Sequence, residues 1–315
     1  MTERGCGIVA PLLFFVTPRA LRLLSNEVRC IWLPVVLCAS CSALGSVSDG
    51  SSLSYGGTSG GWLVDAVRLP VRGDGYVIPT QWATRGLNYG TEELVAIIVR
   101  SARRVDREAG DGVRLYVADL SPQVGGASAW HRSHQTGRDA DLIFFARDDA
   151  GRPAPPPTAM VSFGADGGTA ATDGTGKPIP RLWFDTPRNW QLVRALLEDP
   201  VVDVQFLFIS TPLKTMLLEH ARSQGEPEDL VLQAEAVLQQ PGDSLPHDDH
   251  LHLRIYCPAS DRGMGCRDRG PLRWHKKLWK YLPDEGADAV GLAGLAMPMG
   301  SAFCQIVAQP ALSSL

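Results

Sequence analysis

The sequence lacks the features that several classes of protein require. Its 315 residues contain no run of like charges, with Lys and Arg numbering 30 against 34 Asp and Glu, a formal net charge of -4. Sequence-independent binding to nucleic acid needs clustered Lys and Arg side chains that displace phosphate counterions, so no nucleic-acid partner is expected. No apolar run reaches the roughly 18 residues of a membrane-spanning helix. Seven Cys in a chain of this length are too few for a disulfide scaffold.

The composition nevertheless supplies enough apolar surface for a core, since 44% of the residues are hydrophobic. Gly and Pro together are abundant, at 32 and 23 residues. They favour a chain with many turns and long connections over a helical bundle.

The first 44 residues have the organisation of an export signal. Of two short apolar runs, 8–16 and 31–39, the second follows Arg29 and precedes small residues up to Ala43. It resembles a bacterial lipoprotein signal, with Cys41 as the lipidated first residue of the mature protein. Ordinary cleavage near Ala43 and an uncleaved core element are the alternatives. Because the first run is redundant for export, we expect translation to begin near Val28.

A Ser- and Gly-rich linker is expected over 45–61, followed by one domain over 62–282. Thr91 is predicted to cap a helix that ends at Gly110. The apolar patterns predict further helices from Pro187 and over 213–222 and 229–238, and strands over 113–120, 142–146, 204–209 and 251–256. Unequal helices and long loops between strands favour an α+β fold, with a small mixed, largely antiparallel sheet and flanking helices. A Pro- and Gly-rich surface insertion is expected over 147–180, and 283–315 is a low-complexity tail of unknown role.

Five of the seven His lie in two short clusters, a distribution unlike that of scattered core histidines. His131 and His134 form the first, and Asp141 follows His134 by seven residues at the start of a predicted buried strand. A buried Asp needs a cation or several hydrogen-bond donors. The second cluster contains His247 and the pair His250 and His252, whose spacing on a strand places both imidazoles on one face.

Together the clusters predict a mononuclear zinc site. The predicted ligands are His134, Asp141 and His252, which supply nitrogen and oxygen atoms and leave the fourth position to water. His250 is predicted to lie beside that water and to take or hold its proton. The sequence contains neither an HExxH motif nor the Cys pattern of a structural zinc.

Other residues near the clusters have weaker predicted roles. His131 and His247 are expected to line the cleft or to orient ligands, and Asp139 to hydrogen-bond the backbone of its own turn. A solvated turn is the alternative for the His triplet, but it leaves Asp141 unexplained. Ser133 is a weak candidate nucleophile because its flanks lack the Gly-x-Ser-x-Gly pattern.

At these residues the sequence resembles the penicillin-insensitive murein endopeptidase family, zinc peptidases related to D-Ala-D-Ala carboxypeptidases and dipeptidases. The match rests on 133–141 (SHQTGRDAD), 247–254 (HDDHLHLR) and the Cys257-Pro258 that follows and closes to Cys266, with weaker similarity from Leu69 onward. The resemblance implies the same three zinc ligands, His250 as catalytic base, and His131 and His247 as further active-site residues. It also implies a small antiparallel sheet and a periplasmic enzyme that cuts D-alanyl-meso-diaminopimelate cross-links in peptidoglycan. Export to an oxidising space would let Cys257 and Cys266 form a disulfide.

Two alternatives to this function stay open. A D,D-carboxypeptidase or dipeptidase needs a cation for the free substrate carboxylate, for which Arg132, Arg138 and Arg254 are candidates. A non-catalytic cell-wall binding module that has kept the zinc fold is the other, although it would not need His250. Contact with a membrane is expected only through the lipid anchor, and the oligomeric state is left open.

Overall fold

A computed structural model describes residues 50–157, 159–170, 177–178, 180–242 and 244–270. The export signal, Cys41 and the tail expected over 283–315 lie outside these residues. None of the helices in the described ranges combines the length and the apolar character that crossing a bilayer requires.

The described chain contains fourteen strands and six helices. The strands are β1 Leu53–Gly57, β2 Gly60–Val64, β3 Val67–Arg68, β4 Arg72–Gly73, β5 Tyr76–Val77, β6 Tyr89–Gly90, β7 Leu115–Val117, β8 Asp139–Ile143, β9 Ala146–Arg147, β10 Pro153–Ala154, β11 Trp183–Phe184, β12 Val204–Phe208, β13 Leu238–Gln239 and β14 His250–Ile255. The helices are α1 Thr80–Ala83, α2 Glu92–Ala109, α3 Thr186–Leu197, α4 Thr211–Ser223, α5 Glu228–Val237 and α6 Ala259–Gly263.

A seven-stranded sheet in the order β13-β12-β14-β8-β7-β5-β4 forms the centre of the fold. The pairs β12–β13 and β5–β7 are parallel and the other four pairs are antiparallel. The α+β class and the mixed, largely antiparallel sheet expected from the sequence are therefore confirmed.

The two central strands, β8 and β14, separate polar from apolar side chains. Their antiparallel register pairs His252 with Asp141 and Arg254 with Asp139. Side chains directly opposite each other lie on the same face of a sheet, so one face carries the His, Asp and Arg residues. The intervening Ala140 and Leu253 are buried in the core, and the alternation thus directs the polar set to a single site.

The helices pack on the sheet through their apolar stripes. The predicted start and end of α2 are confirmed, because the Thr91 side chain accepts a hydrogen bond from Leu94 N, and Gly110 adopts a left-handed conformation with φ of 66°. Helix α3 packs against α2 and α4. Its N-cap is Asp185, whose carboxylate accepts from Arg188 N.

Two strands differ from their predicted bounds. The strand expected over 142–146 occupies 139–143, with a separate short strand at Ala146–Arg147, and the one expected over 113–120 is limited to Leu115–Val117. The apolar run alone marks β8 poorly, because the first and third residues of this strand, Asp139 and Asp141, are polar and face the site.

Residues 53–61 form an ordered part of the domain, which corrects the expectation of a linker over 45–61. Strands β1 and β2 pair as a hairpin. Ser54 is fully buried, and its N–H donates to the carboxylate of Asp261 at 2.8 Å. The glycines serve close packing here: a Cβ at Gly61 would lie 2.0 Å from Tyr55 O and 2.6 Å from Thr136 Cγ2.

The expected disulfide is confirmed, with Cys257 and Cys266 bonded across a separation of nine residues directly after β14. The Pro- and Gly-rich segment expected at the surface over 147–180 packs inward in part, since Pro156, Phe163, Gly167 and Thr169 are buried. Its Phe163 is buried, and the ring packs edge-on against Phe144 and Phe184.

Candidate metal centre

The side chain of Asp141 lies at the centre of the polar face. Its Oδ1 is 3.3 Å from His134 Nε2, 3.2 Å from His252 Nδ1 and 3.2 Å from His250 Nε2. Asp141 is buried, and burial opposes its ionisation, but the imidazoles of His250 and His134 hold its pKa well below the usual range. The six predicted catalytic and metal residues thus lie together, because the His131 ring stacks on that of His134 and the His247 ring adjoins those of His250 and His252.

The loop that carries His134 is held in an uncommon conformation. His134 has φ of 66°, a left-handed value that few residues other than glycine adopt. The Ser121 hydroxyl donates to His134 O, and the same hydroxyl accepts from Gly137 N at 2.9 Å. Ser121 therefore bonds both ends of residues 134–137, here called the ligand loop after the candidate ligand His134. Residues held in left-handed conformations cluster at functional sites.

Each of the two most buried imidazoles has one ring nitrogen engaged away from Asp141. His134 Nδ1 lies 2.8 Å from Leu120 O, which accepts a hydrogen bond from the Nδ1 proton, so that Nε2 is an acceptor facing Asp141. His252 Nε2 lies 2.8 Å from Asp139 Oδ1, which likewise leaves Nδ1 facing Asp141. Metal-binding histidines are oriented in this way by a carbonyl or carboxylate on the far nitrogen.

These atoms meet the requirements of a bound metal. His134 Nε2 and both carboxylate oxygens of Asp141 are buried without a hydrogen-bond partner among the described residues. Buried polar atoms ordinarily have a partner. Tetrahedral coordination with bonds of about 2.0–2.1 Å separates neighbouring ligand atoms by about 3.3 Å, close to the 3.2 and 3.3 Å measured from Asp141 Oδ1. The donors, two imidazoles and a carboxylate, suit zinc.

His250 lies on the more open side of the cluster. Its side chain is 16% exposed, against 1% for His134 and 8% for His252. His250 Nδ1 lies 2.6 Å from Asp249 Oδ1. Burial opposes protonation of this ring, but the carboxylates of Asp141 and Asp249 outweigh it and raise the pKa of His250 to about 10. A cation bound at Asp141 would cancel much of that effect, since it neutralises the nearer carboxylate.

His131 belongs to a separate hydrogen-bonded chain at the edge of the site. Its ring stacks on His134 at 4.2 Å, and its Nε2 lies 2.8 Å from the buried Asp119 Oδ2. Arg85 donates to the same oxygen at 2.6 Å and lies over the exposed Trp130 ring. The arrangement fixes the His131 ring next to a proposed ligand, with its Nδ1 3.7 Å from Asp141 Oδ2.

His247 adjoins the cluster from the loop before β14. Its ring centre is 5.3 Å from that of His250 and 5.7 Å from that of His252. Burial and then the neighbouring imidazoles lower the pKa of His247 to about 4. The ring is therefore neutral at pH 7.

Two expectations for charged residues need correction. Arg138 cannot receive a substrate carboxylate, because it is fully buried and paired with Asp268 at 2.9 Å. Asp139 does not bond its own turn: it accepts from His252, and from Arg254 Nε at 2.6 Å. Arg254 is thus bound to Asp139 within the site. Arg132, which follows His131 in the sequence, is exposed.

Sequence reasoning left out three residues that orient the cluster: Asp119, Ser121 and Arg85. Asp119 and Ser121 do carry a signal, since they are polar residues at the end of the apolar run over 115–120, just as Asp141 is a polar residue beside another apolar run. Arg85 carries none, because it comes from a distant loop after α1 and its role depends on the tertiary fold.

Comparison with known proteins identifies related sequences. The family model described as penicillin-insensitive murein endopeptidase matches residues 54–276, a range that includes all of the hairpin except Leu53 and all the site residues. The chain is 28% identical over 225 residues to a penicillin-insensitive murein endopeptidase of Klebsiella pneumoniae, covering 70% of this chain and 72% of that protein. A protein of the same name from Escherichia coli is 28% identical over 223 residues, covering 70% and 71%.

Proposed function

The chain belongs to the penicillin-insensitive murein endopeptidase family, and from this premise we propose that it hydrolyses D-alanyl-meso-diaminopimelate cross-links in peptidoglycan with zinc held by His134, Asp141 and His252. One observation carries the proposal. Three imidazole nitrogens converge on one oxygen of the buried Asp141, and that oxygen has no hydrogen-bond partner among the described residues.

Zinc at this position supplies a Lewis acid that polarises the scissile carbonyl and lowers the pKa of a water towards neutrality. The protein supplies the proton transfer. Asp249 Oδ1 accepts from His250 Nδ1, which leaves Nε2 as the atom that accepts a proton from the attacking water. The same nitrogen then delivers that proton to the amine of the departing diaminopimelate, whose bond to D-alanine breaks.

The ligand and base roles of the three imidazoles follow from burial and orientation. His134 and His252 are enclosed and each is locked by a bond to its far nitrogen. His250 is the imidazole nearest to solvent of the three, where a substrate enters and a proton is exchanged. His131 and His247 lie at the edges of the site. There His131 holds the ring of His134 in place, and His247 holds the rings of His250 and His252.

We place the enzyme in the periplasm, where its peptidoglycan substrate lies. The Cys257–Cys266 disulfide supports an oxidising compartment. Lipidation of Cys41 would anchor the domain to an envelope membrane. Labelled palmitate should then enter the wild type and be absent from Cys41→Ala, whereas a soluble product that begins near Ser42 to Gly45 would contradict the anchor.

Mass spectrometry of muropeptides tests the proposed activity. Isolated sacculi incubated with the full chain should lose cross-linked dimers and gain the corresponding monomers. Treatment with a chelator should stop this conversion, and added zinc should restore it. Loss of only the terminal D-alanine would instead identify a D,D-carboxypeptidase, and an unchanged muropeptide profile with tight binding to sacculi would identify a non-catalytic module.

A further inference from the structure

The β1–β2 hairpin presents an aromatic pair to solvent. The rings of Tyr55 and Trp62 stack at 4.5 Å with an angle of 12°. Both are strongly exposed for aromatic residues, at 37% and 52%. Gly265 lies against the Tyr55 ring, and a Cβ at Gly265 would be 2.6 Å from Tyr55 Cε2. The pair is therefore held by packing, while much of the Trp62 indole is left uncovered.

Two arginines lie beside this pair. A cavity of about 390 Å³ is bounded by Tyr55, by hairpin glycines and by Arg267, Asp268 and Arg269. The buried Asp268 is paired with Arg138. Neither Arg267 nor Arg269 forms an ion pair with any residue that the structure describes, and both are exposed. The cavity thus combines aromatic surface with uncompensated positive charge.

The backbone beneath the cavity is pre-ordered. Gly56 N donates to Gly265 O at 3.1 Å and Arg267 N donates to Gly56 O at 2.9 Å, so the segment after α6 lies along β1 like an added strand. The disulfide at Cys266 fixes the same segment to the end of β14. A ligand bound here meets a rigid wall, which reduces the entropy lost on binding.

The hairpin also adjoins the ligand loop. The two segments meet at Gly125, where an added Cβ would lie only 2.3 Å from Gln135 O and 2.7 Å from Trp62 Cα. Gln135 directly follows His134, and its N–H donates to Thr58 O in the hairpin turn at 3.1 Å. A polymer lying across the hairpin can therefore extend into the metal centre.

We propose that Tyr55, Trp62, Arg267 and Arg269, here called the hairpin platform, bind the glycan strand of peptidoglycan next to the cross-link being cut. Aromatic faces carry negative partial charge and attract the polarised C–H groups on the face of a pyranose ring. The guanidinium groups match the free carboxylates of adjacent stem peptides. This inference rests on the proposed function, since it names the part of that substrate which the metal centre does not contact.

The test compares Trp62→Ala with Val64→Ala in the full chain. Val64 is exposed on the same strand and the same side but takes no part in the aromatic pair. Each protein is assayed on intact sacculi and on a soluble cross-linked stem peptide that has no sugar. Trp62→Ala should lower kcat/KM on sacculi by roughly tenfold, the scale of one aromatic contact, and leave the soluble peptide within about twofold. Val64→Ala should change neither value.

Equal losses on both substrates, or no loss on sacculi, would overturn the glycan assignment. The double variant Arg267→Gln with Arg269→Gln should reproduce the selective loss on sacculi, and retention of full activity there would remove the arginines from the platform. Sedimentation with peptide-free glycan strands gives a separate readout. If the wild type cleaves neither substrate but still sediments with these strands in a Trp62-dependent manner, the proposed function fails and the platform stands.

Discussion

Asp141 and His252 are direct partners across the two central strands of the sheet, and this register joins the two histidine clusters into one site. The pairing places His252 Nδ1 3.2 Å from Asp141 Oδ1. The next pair along the strands is Asp139 with Arg254. The Asp139 carboxylate accepts a hydrogen bond from His252 Nε2, the ring nitrogen that faces away from Asp141, and another from Arg254. One stretch of antiparallel pairing thus provides two proposed ligands and the group that orients one of them.

The Asp139→Asn variant should weaken metal binding. An amide oxygen is a poorer acceptor for the His252 Nε2 proton than a carboxylate, and it also releases Arg254. Changes in residues that orient a metal ligand typically cost about 10–100-fold in metal affinity, so zinc should be lost at correspondingly lower chelator concentrations.

Asp119→Asn is the matched control for Asp139→Asn. Asp119 is also buried and accepts from an imidazole, but that imidazole is His131, which is not a proposed ligand. The zinc affinity of the Asp119→Asn variant should stay close to that of the wild type, while its turnover falls. If Asp119→Asn loses zinc as readily as Asp139→Asn, the ligand set must include His131.

The protein should not be acylated by β-lactams. The proposed nucleophile is water, and the flanks of Ser133 lack the Gly-x-Ser-x-Gly pattern of an activated serine. Intact mass after incubation with penicillin should therefore be unchanged, and cross-link cleavage should continue in its presence. A penicilloyl adduct, located by peptide mapping, would show that a side chain attacks the carbonyl.

The Cys257–Cys266 disulfide should stabilise the domain by about 2–3 kcal/mol, the loop-entropy value for a closed loop of roughly ten residues. Urea unfolding of the Cys257→Ser, Cys266→Ser double variant should show that difference in the free energy of unfolding. The wild type under reducing conditions is the control and should match the variant. Equal stability of the oxidised and reduced wild type would contradict a stabilising bond.

Local patterns in the sequence predicted the helices well, and they named residues that the fold brings together. Thr91 and Gly110 mark the ends of α2 because capping depends on neighbouring residues only. The His-x-His spacing placed two imidazoles on one face, as β14 does. The metal ligands could be proposed because a buried acid such as Asp141 requires compensation.

Long-range pairing accounts for what the sequence did not reveal. Residues 56–61 have the composition of a flexible linker, yet the absence of a side chain at Gly61 allows the hairpin to pack against Thr136. Asp139 has two acceptable roles locally, and only the register with Arg254 selects one. Arg138 resembles a surface arginine in sequence, but the segment around Asp268 encloses it.

The zinc content of His250→Ala and His252→Ala, measured together with turnover on cross-linked muropeptides, tests the central claim most directly. His252→Ala removes a proposed ligand and should lose both metal and activity. His250→Ala should keep close to one zinc per chain while turnover falls by roughly 10²–10⁴-fold, the usual contribution of general acid–base catalysis, with circular dichroism to establish that both variants fold. Loss of zinc from His250→Ala with retention in His252→Ala would reverse the two roles, and full activity in both variants would contradict the assignment of this site.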